Sequence, residues 1–167
     1  MINHFVTKKG LIQLRDNISQ LLDEMKECNK KIGHTVSLDN DLRENPEFMS
    51  LRNKAEYEIP NKIKELNDVI SDYILVEDME HIINGNNDYI HVGHKVTLSD
   101  ENGNQRIINI LGYGESNPEH NIVSYLTPIA QKLIDLEIND EVTLPYLGKE
   151  KIYVIDEIEV SPFIKEG

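Results

Sequence analysis

Apolar residues recur along the first third of the chain in alternating steps of three and four: Leu11, Leu14, Ile18, Leu21, Met25, Cys28 and Ile32. That is the a/d stripe of a coiled-coil seam, sustained for three heptads. Arg15, Asp16, Asp23, Glu24, Lys26, Glu27, Lys30 and Lys31 fill the water-facing positions between them. The spacing predicts a helix over about residues 8–32, capped by Thr7 and roughly 37 Å long. Gly33, Thr35 and Val36 weaken it beyond that point. A second stripe runs through Phe48, Leu51, Ala55, Ile59, Ile63, Leu66, Ile70 and Tyr73. Its steps of four from Leu51 to Ile63 mark a stutter, and Pro60 inside that stretch predicts a kink. Two striped helices joined by a short connection bury their stripes against each other, which predicts an antiparallel α-helical coiled-coil hairpin.

The period changes after Tyr73. Tyr73 to Val76 is a short apolar run and Asn84-Gly85-Asn86-Asn87 is a turn cluster. From Lys95 the alternation is two-fold: Val96 and Leu98 lead to the turn Asp100-Glu101-Asn102-Gly103, and Ile107 to Leu111 return. Asn121 to Leu126 reads as a further strand, and Pro128 opens a short helix through Ile134. Val142 and Leu144, a turn at Leu147-Gly148-Lys149, and Ile152 to Ile158 form a last hairpin. The expected class is therefore α+β. Residues 1–76 form the hairpin, with an acidic tip near 38–47, and residues 77–167 form a small antiparallel sheet domain with one helix.

Charge narrows the function classes. The chain carries 17 basic and 30 acidic side chains, a net charge of −13, and both halves are acidic. Neither is the basic body of an autonomous duplex-DNA binder, so nucleic acid, if involved, is held by a partner. The single cysteine, Cys28, lies on the apolar stripe and is expected as a small buried hydrophobe. The N-terminus has no apolar run of signal-peptide length and no segment approaches a membrane span. These features predict a cytoplasmic protein without a membrane partner.

Candidate chemistry concentrates at the hairpin tip, where Asp39, Asp41, Glu44 and Glu47 cluster. Two readings stand. In one, this is a solvated helix start: Asp41 caps the second helix, Glu44 follows as in a capping box and Pro46 occupies the first turn. In the other, a stalk carries negative charge to a place that needs it. Elsewhere, Gly112-Tyr113-Gly114 is too short for a phosphate loop. The six histidines share no helical face with acidic partners, His91 and His94 reading as alternating strand residues, and no serine or cysteine has a triad-like neighbourhood.

The stretch Asp41-Leu42-Arg43-Glu44-Asn45-Pro46-Glu47-Phe48 resembles the G-D-L-[KS]-E-N-A-E-Y signature of the bacterial Gre transcript-cleavage factors, GreA/GreB-like proteins. The resemblance covers nearly the whole chain. Thr7-Lys8-Lys9-Gly10-Leu11 and Leu14 are similar to the family opening T-x-x-G-x-x-x-L, and Arg52 stands where the family has an arginine after the signature. Val96 to Gly103, then Ile122-Val123-Ser124 with Thr127-Pro128-Ile129-Ala130, resemble its I-S-V-x-S-P-[IL]-A-R region. Gly148-Lys149-Glu150 and Val154 to Ile158 resemble its close. Asn40, Pro46, Phe48, Leu126 and Gln131 depart from the pattern, and Pro60 is unexpected in it. Asp41 and Glu44 are intact.

The resemblance implies an FKBP-like C-terminal domain that docks on bacterial RNA polymerase at its secondary channel, with Leu126, Thr127 and Pro128 as docking candidates. It implies Asp41 and Glu44 as the catalytic and metal-binding pair, recruiting a second Mg²⁺ for cleavage of backtracked nascent RNA. Lys26, Lys30, Arg43 and Arg52 are candidates for contacting the RNA 3′ segment. Mg²⁺ would be shared with the polymerase active centre and not bound stably by the protein alone. The implied protein is not itself an enzyme but stimulates the polymerase, and the family carries an association with DNA binding. FKBP-like folds elsewhere host prolyl isomerases, whose pocket is lined by aromatic residues. This half has no Trp and a single Phe163 outside the core pattern, so isomerase activity is not expected. A Gre-like regulator that inhibits through the same channel is the alternative, and a coiled-coil adaptor would have no use for paired tip carboxylates.

Overall fold

The computed structural model describes residues 3–38 and 45–165. It divides the chain into a hairpin unit, Leu11–Asp72, and a globular unit made of Met1–Gly10 with Tyr73–Gly167. The sequence boundary of 1–76 for the hairpin differs from this division at both ends, since residues 1–10 and 73–76 belong to the globular unit. Strand β1 (His4–Val6) pairs in parallel with β2 (Tyr73–Leu75), and that pairing places the first ten residues in the globular unit.

Helix α1 runs over Lys8–Leu38, about 46 Å at the α-helical rise, and so extends six residues past the expected end. The Thr7 hydroxyl accepts the Gly10 amide at 2.9 Å, the expected cap. Gly33, Thr35 and Val36 stay helical. The Thr35 hydroxyl donates to the Lys31 carbonyl at 2.9 Å, which satisfies a buried polar group inside the helix.

The second arm comprises α2 (Pro46–Asn53), a π-helical turn (Lys54–Glu58) and α3 (Ile59–Ser71). The π turn is the structural form of the stutter. The Ile59 amide reaches back five residues to the Lys54 carbonyl, and Pro60, which has no amide to offer, follows directly. A turn that takes up more than four residues keeps Leu51, Ala55, Ile59 and Ile63 on one face; steps of four in a pure α-helix drift off the seam. Cys28, Ala55 and Ile59 are the buried seam, with Leu21, Met25, Ile32, Leu51 and Ile63 packed against them. Cys28 is thus a buried hydrophobe, as its place on the stripe predicts. Later α1 residues face earlier second-arm residues: Cys28 meets Ala55, and Leu21 lines a groove with Lys62 and Leu66. The arms are antiparallel.

The globular unit holds a five-stranded sheet in the order β5-β4-β3-β7-β6. These strands are β3 (His94–Ser99), β4 (Gln105–Leu111), β5 (Ile122–Ser124), β6 (Glu141–Tyr146) and β7 (Lys149–Val160). The expected antiparallel sheet needs one correction: β5 pairs with β4 in parallel. Parallel neighbours need a crossover, and residues 112–121 supply it. The expected single helix is α5 (Pro128–Leu133), but two one-turn helices accompany it, α4 (Glu80–Ile83) before the sheet and α6 (Pro162–Lys165) after it.

Alternation places Val96, Leu98, Ile108, Ile110, Leu144, Tyr153 and Ile155 in the core. On β7 the alternation breaks between Ile155 and Ile158. A bulge leaves Asp156 unpaired, with Thr97 opposite Glu157 and Leu98 opposite Ile155, and so returns Ile158 to the buried face. Phe163, expected outside the core, packs against it from α6. The β6–β7 turn puts both Leu147 (φ 49°) and Gly148 (φ 78°) in the left-handed region, the requirement of a two-residue type I′ turn.

Candidate functional site

Chain order fixes the setting of the tip. Helix α1 ends at Leu38 and α2 begins at Pro46, so Asp39, Asp41, Arg43 and Glu44 fall in the connection between two arms of a coiled coil. These four residues lie outside the described part of the structure. The cap expected of Asp41 belongs to Asn45, whose Oδ1 accepts the Phe48 amide at 3.1 Å, with Pro46 at the first helical position. Glu47 sits in the first turn of α2, where a carboxylate complements the helix dipole.

The basic candidates differ in their surroundings. Lys26 and Lys30 line one open face of α1 together with Asp23, Glu27 and Asn29. Lys30 lies 3.4 Å from Glu27, an exposed pair that salt and competition displace easily. Arg52 is turned along its own helix, its Nε 3.2 Å from both Glu56 oxygens. Across the seam Lys54 pairs with Glu24, whose carboxyl is held below its usual range by that hydrogen bond and charge.

The docking candidates form one loop-to-helix corner. Leu126 is 53% exposed, a large apolar side chain facing water. Thr127 is structural: it caps α5, its hydroxyl accepting the Ala130 amide at 3.3 Å and donating to the Ser124 carbonyl at 2.8 Å. Pro128 is the exposed first residue of α5. Gln131 bonds back to the Tyr125 carbonyl at 2.7 Å and so braces the same corner.

Two polar constellations escape a reading by sequence spacing. Asp100 is almost entirely buried in the β3–β4 turn. Burial opposes its ionisation, but the Asn104 amide, the Lys151 ammonium at 3.1 Å and the Asn102 amide together hold its carboxyl at about 2. The second is a histidine cluster. The rings of His81 and His91 stack with centroids 4.4 Å apart, and His94 meets His81 at 5.1 Å. His94 opens β3, whereas His91 lies in the turn before it, so the two are not alternating strand residues. His81 comes from α4, ten residues upstream, which hides the cluster from any local spacing. Among the described residues, no group of three or more His, Cys, Asp or Glu side chains is arranged to hold a metal ion.

Comparison with known proteins gives consistent matches. A family model described as "Transcription elongation factor, GreA/GreB, C-term" matches residues 85–160. The transcription elongation factor GreA of Nautilia profundicola is 32% identical over 155 residues, covering 92% of each chain. That of Nitratiruptor sp. is 28% identical over 160 residues, covering 94% of this chain and 93% of its own. Among solved structures, GreA factor homolog 1 of Thermus thermophilus is similar with a TM-score of 0.42 and 17% identity, covering 95% of this chain and 99% of that one.

Proposed function

The chain belongs to the GreA/GreB family of transcription elongation factors, and we propose that it stimulates RNA polymerase to cleave backtracked nascent RNA. The observation that supports this most is the position of Asp41 and Glu44. By chain order they fall between the two antiparallel coiled-coil arms, at the positions that match the family signature.

In this reading the corner Leu126-Thr127-Pro128 docks on the polymerase, and the hairpin enters the secondary channel. Asp41 and Glu44 offer hard oxygen donors, the ligand type Mg²⁺ selects, and would hold it jointly with the polymerase active centre. When bound there, the ion would lower the pKa of the attacking water and stabilise developing negative charge. Lys26 and Lys30 are free to swing toward RNA phosphates, since their acidic neighbours on α1 are solvated. Arg52 would first leave Glu56. Arg43 completes the basic set.

The experiment adds purified protein to a halted, backtracked elongation complex and looks for short 3′ RNA fragments. Fragments that appear only with both protein and polymerase are expected. Protein with RNA and Mg²⁺ alone should cleave nothing, because two carboxylates in water do not dehydrate Mg²⁺ well. Slowed elongation without fragments would replace this reading with the inhibitory one.

A further inference from the structure

We propose that His81, His91 and His94 form an acid-sensitive latch that fastens helix α4 and the turn after it to the sheet. His94 is 0% exposed. Its Nδ1 accepts the backbone amide of His91 at 2.9 Å, so the neutral ring carries its proton on the buried Nε2. A second proton can bind only at Nδ1, where the His91 N–H already points. Protonation therefore breaks this bond and charges a buried ring at once.

The neighbours make that charge worse. His81 faces His94 from α4, its Nε2 bonded to the Val92 carbonyl at 2.8 Å, which fixes its own proton on that nitrogen. His91 stacks on His81 from the turn. These two imidazoles are the titratable groups that act on His94, and the Asn86 carbonyl favours its charged form. Val160 of β7 lies opposite His94, and the nearby Lys95 and Glu159 pair with each other at 3.3 Å. Burial first, then the two imidazoles, hold His94 at about 4. His81 is lowered as well, again mainly by burial.

The backbone turns the charge on His94 into a mechanical event. Gly93 (φ 94°) lets the chain pass so close under α4 that a Cβ there would sit 2.7 Å from Ile82 and 2.8 Å from Val76. Packing of α4 thus depends on the turn that two bonds close, His91 N–H to His94 Nδ1 at 2.9 Å and the longer His94 N–H to the His91 carbonyl at 3.2 Å. On the sheet side the turn is tied separately, Gly93 N–H to the Ile110 carbonyl and Ser161 N–H to the Gly93 carbonyl. Acid should free α4 and leave the sheet paired.

Hydrogen exchange of the full chain between pH 8 and pH 4.5, corrected for intrinsic rates, tests this. The amides of Ile83, Asn84, Asn86 and His91 should lose protection, about 30-fold by pH 5 if His94 titrates normally once open. Those of Val96 and Ile110 should keep theirs. His81→Phe, which retains a ring but no charge, should shift the loss to lower pH. Imidazole ¹⁵N shifts of the unmodified protein provide an independent readout: His94 should show the Nε2–H tautomer and titrate well below 6. Loss of protection across sheet and α4 together, no loss down to pH 4.5, or a His94 titration near 6.5 would each overturn the latch.

Discussion

The Thr7 hydroxyl donates to the Glu115 carboxylate at 2.7 Å while accepting the Gly10 amide, so one side chain joins the start of α1 to the loop after β4. The other Glu115 oxygen accepts the Gly112 amide at 2.9 Å. Gly10 is what lets this happen, since a Cβ there would lie 3.0 Å from the Glu115 carboxyl carbon. Thr7→Ala removes a cap and should lower unfolding free energy by about 1–2 kcal/mol. Glu115→Ala strands two donors and should cost a similar about 1–3 kcal/mol. In urea titrations the double variant should lose clearly less than the sum of the two, and strict additivity would deny the coupling.

Burial raises the Glu115 carboxyl above its usual range, the Thr7 and Gly112 bonds opposing, with Glu77 adding to the rise. The fold therefore binds this proton more tightly than the unfolded chain does. That contribution is complete below the ordinary carboxylate pKa and fades as pH rises through the raised one. Glu115→Gln abolishes the titration, so the stability difference between wild type and variant should move against the wild type between about pH 4 and pH 7. A constant difference across that window, measured by chemical denaturation, would show that Glu115 titrates normally.

Asp41→Ala or Glu44→Ala should reduce cleavage of backtracked RNA on the order of 10²-fold, the scale of losing a metal ligand. Polymerase affinity in a competition assay should be unchanged. Asp39→Ala, outside the matching motif, should have a milder effect. Full activity in either of the first two variants rules out metal recruitment by the tip.

The corner before α5 gives a docking test only if its residues are separated. Thr127→Ala removes the α5 cap, so lost binding in that variant could reflect an unravelled helix. Leu126→Ala touches no hydrogen bond of its side chain and should weaken polymerase binding about 3- to 10-fold at unchanged thermal stability. Unaltered affinity would move the docking surface elsewhere.

Leu147 is 86% exposed and occupies a left-handed backbone position that leucine disfavours. Leu147→Asn, the residue suited to the first position of a type I′ turn, should stabilise the protein by about 0.5–1 kcal/mol. A lower denaturation midpoint would mean that the leucine makes a contact worth more than its strain.

The hairpin was legible because its stripe is long and local: Leu11 to Ile32 repeats without a miss, and Cys28 is buried where the repeat puts it. The β3–β4 and β6–β7 hairpins were legible for the same reason, two alternating runs around short turns. What escaped was non-local. Strand β1 is three residues long and finds its mate only at Tyr73, so nothing near Phe5 announces a strand. The parallel β4–β5 pair depends on a crossover that alternation cannot reveal. The π turn was visible as a defect in spacing, but only the i→i+5 bond shows how the helix absorbs it. In the candidate site, a family signature pointed to Asp41 and Glu44. Assigning the helix cap to Asn45 required the Asn45–Phe48 bond.

The parallel pairing of β1 with β2 has a consequence for how the protein is made and how it is cut. During synthesis β1 emerges first and waits until Leu75 leaves the ribosome, by which time the whole hairpin has been released and can zip locally. A fragment beginning at residue 77 would discard both strands. It would leave the Tyr113 amide without the Phe5 carbonyl, and the Tyr125 ring without the Phe5 ring that meets it edge-on. The natural excision is the opposite one. Removing residues 11–72 and bridging Gly10 to Tyr73 with a flexible linker long enough to cross back along the parallel pair keeps every strand of the globular unit, and that shortened chain is the one to isolate for studies of docking without a tip.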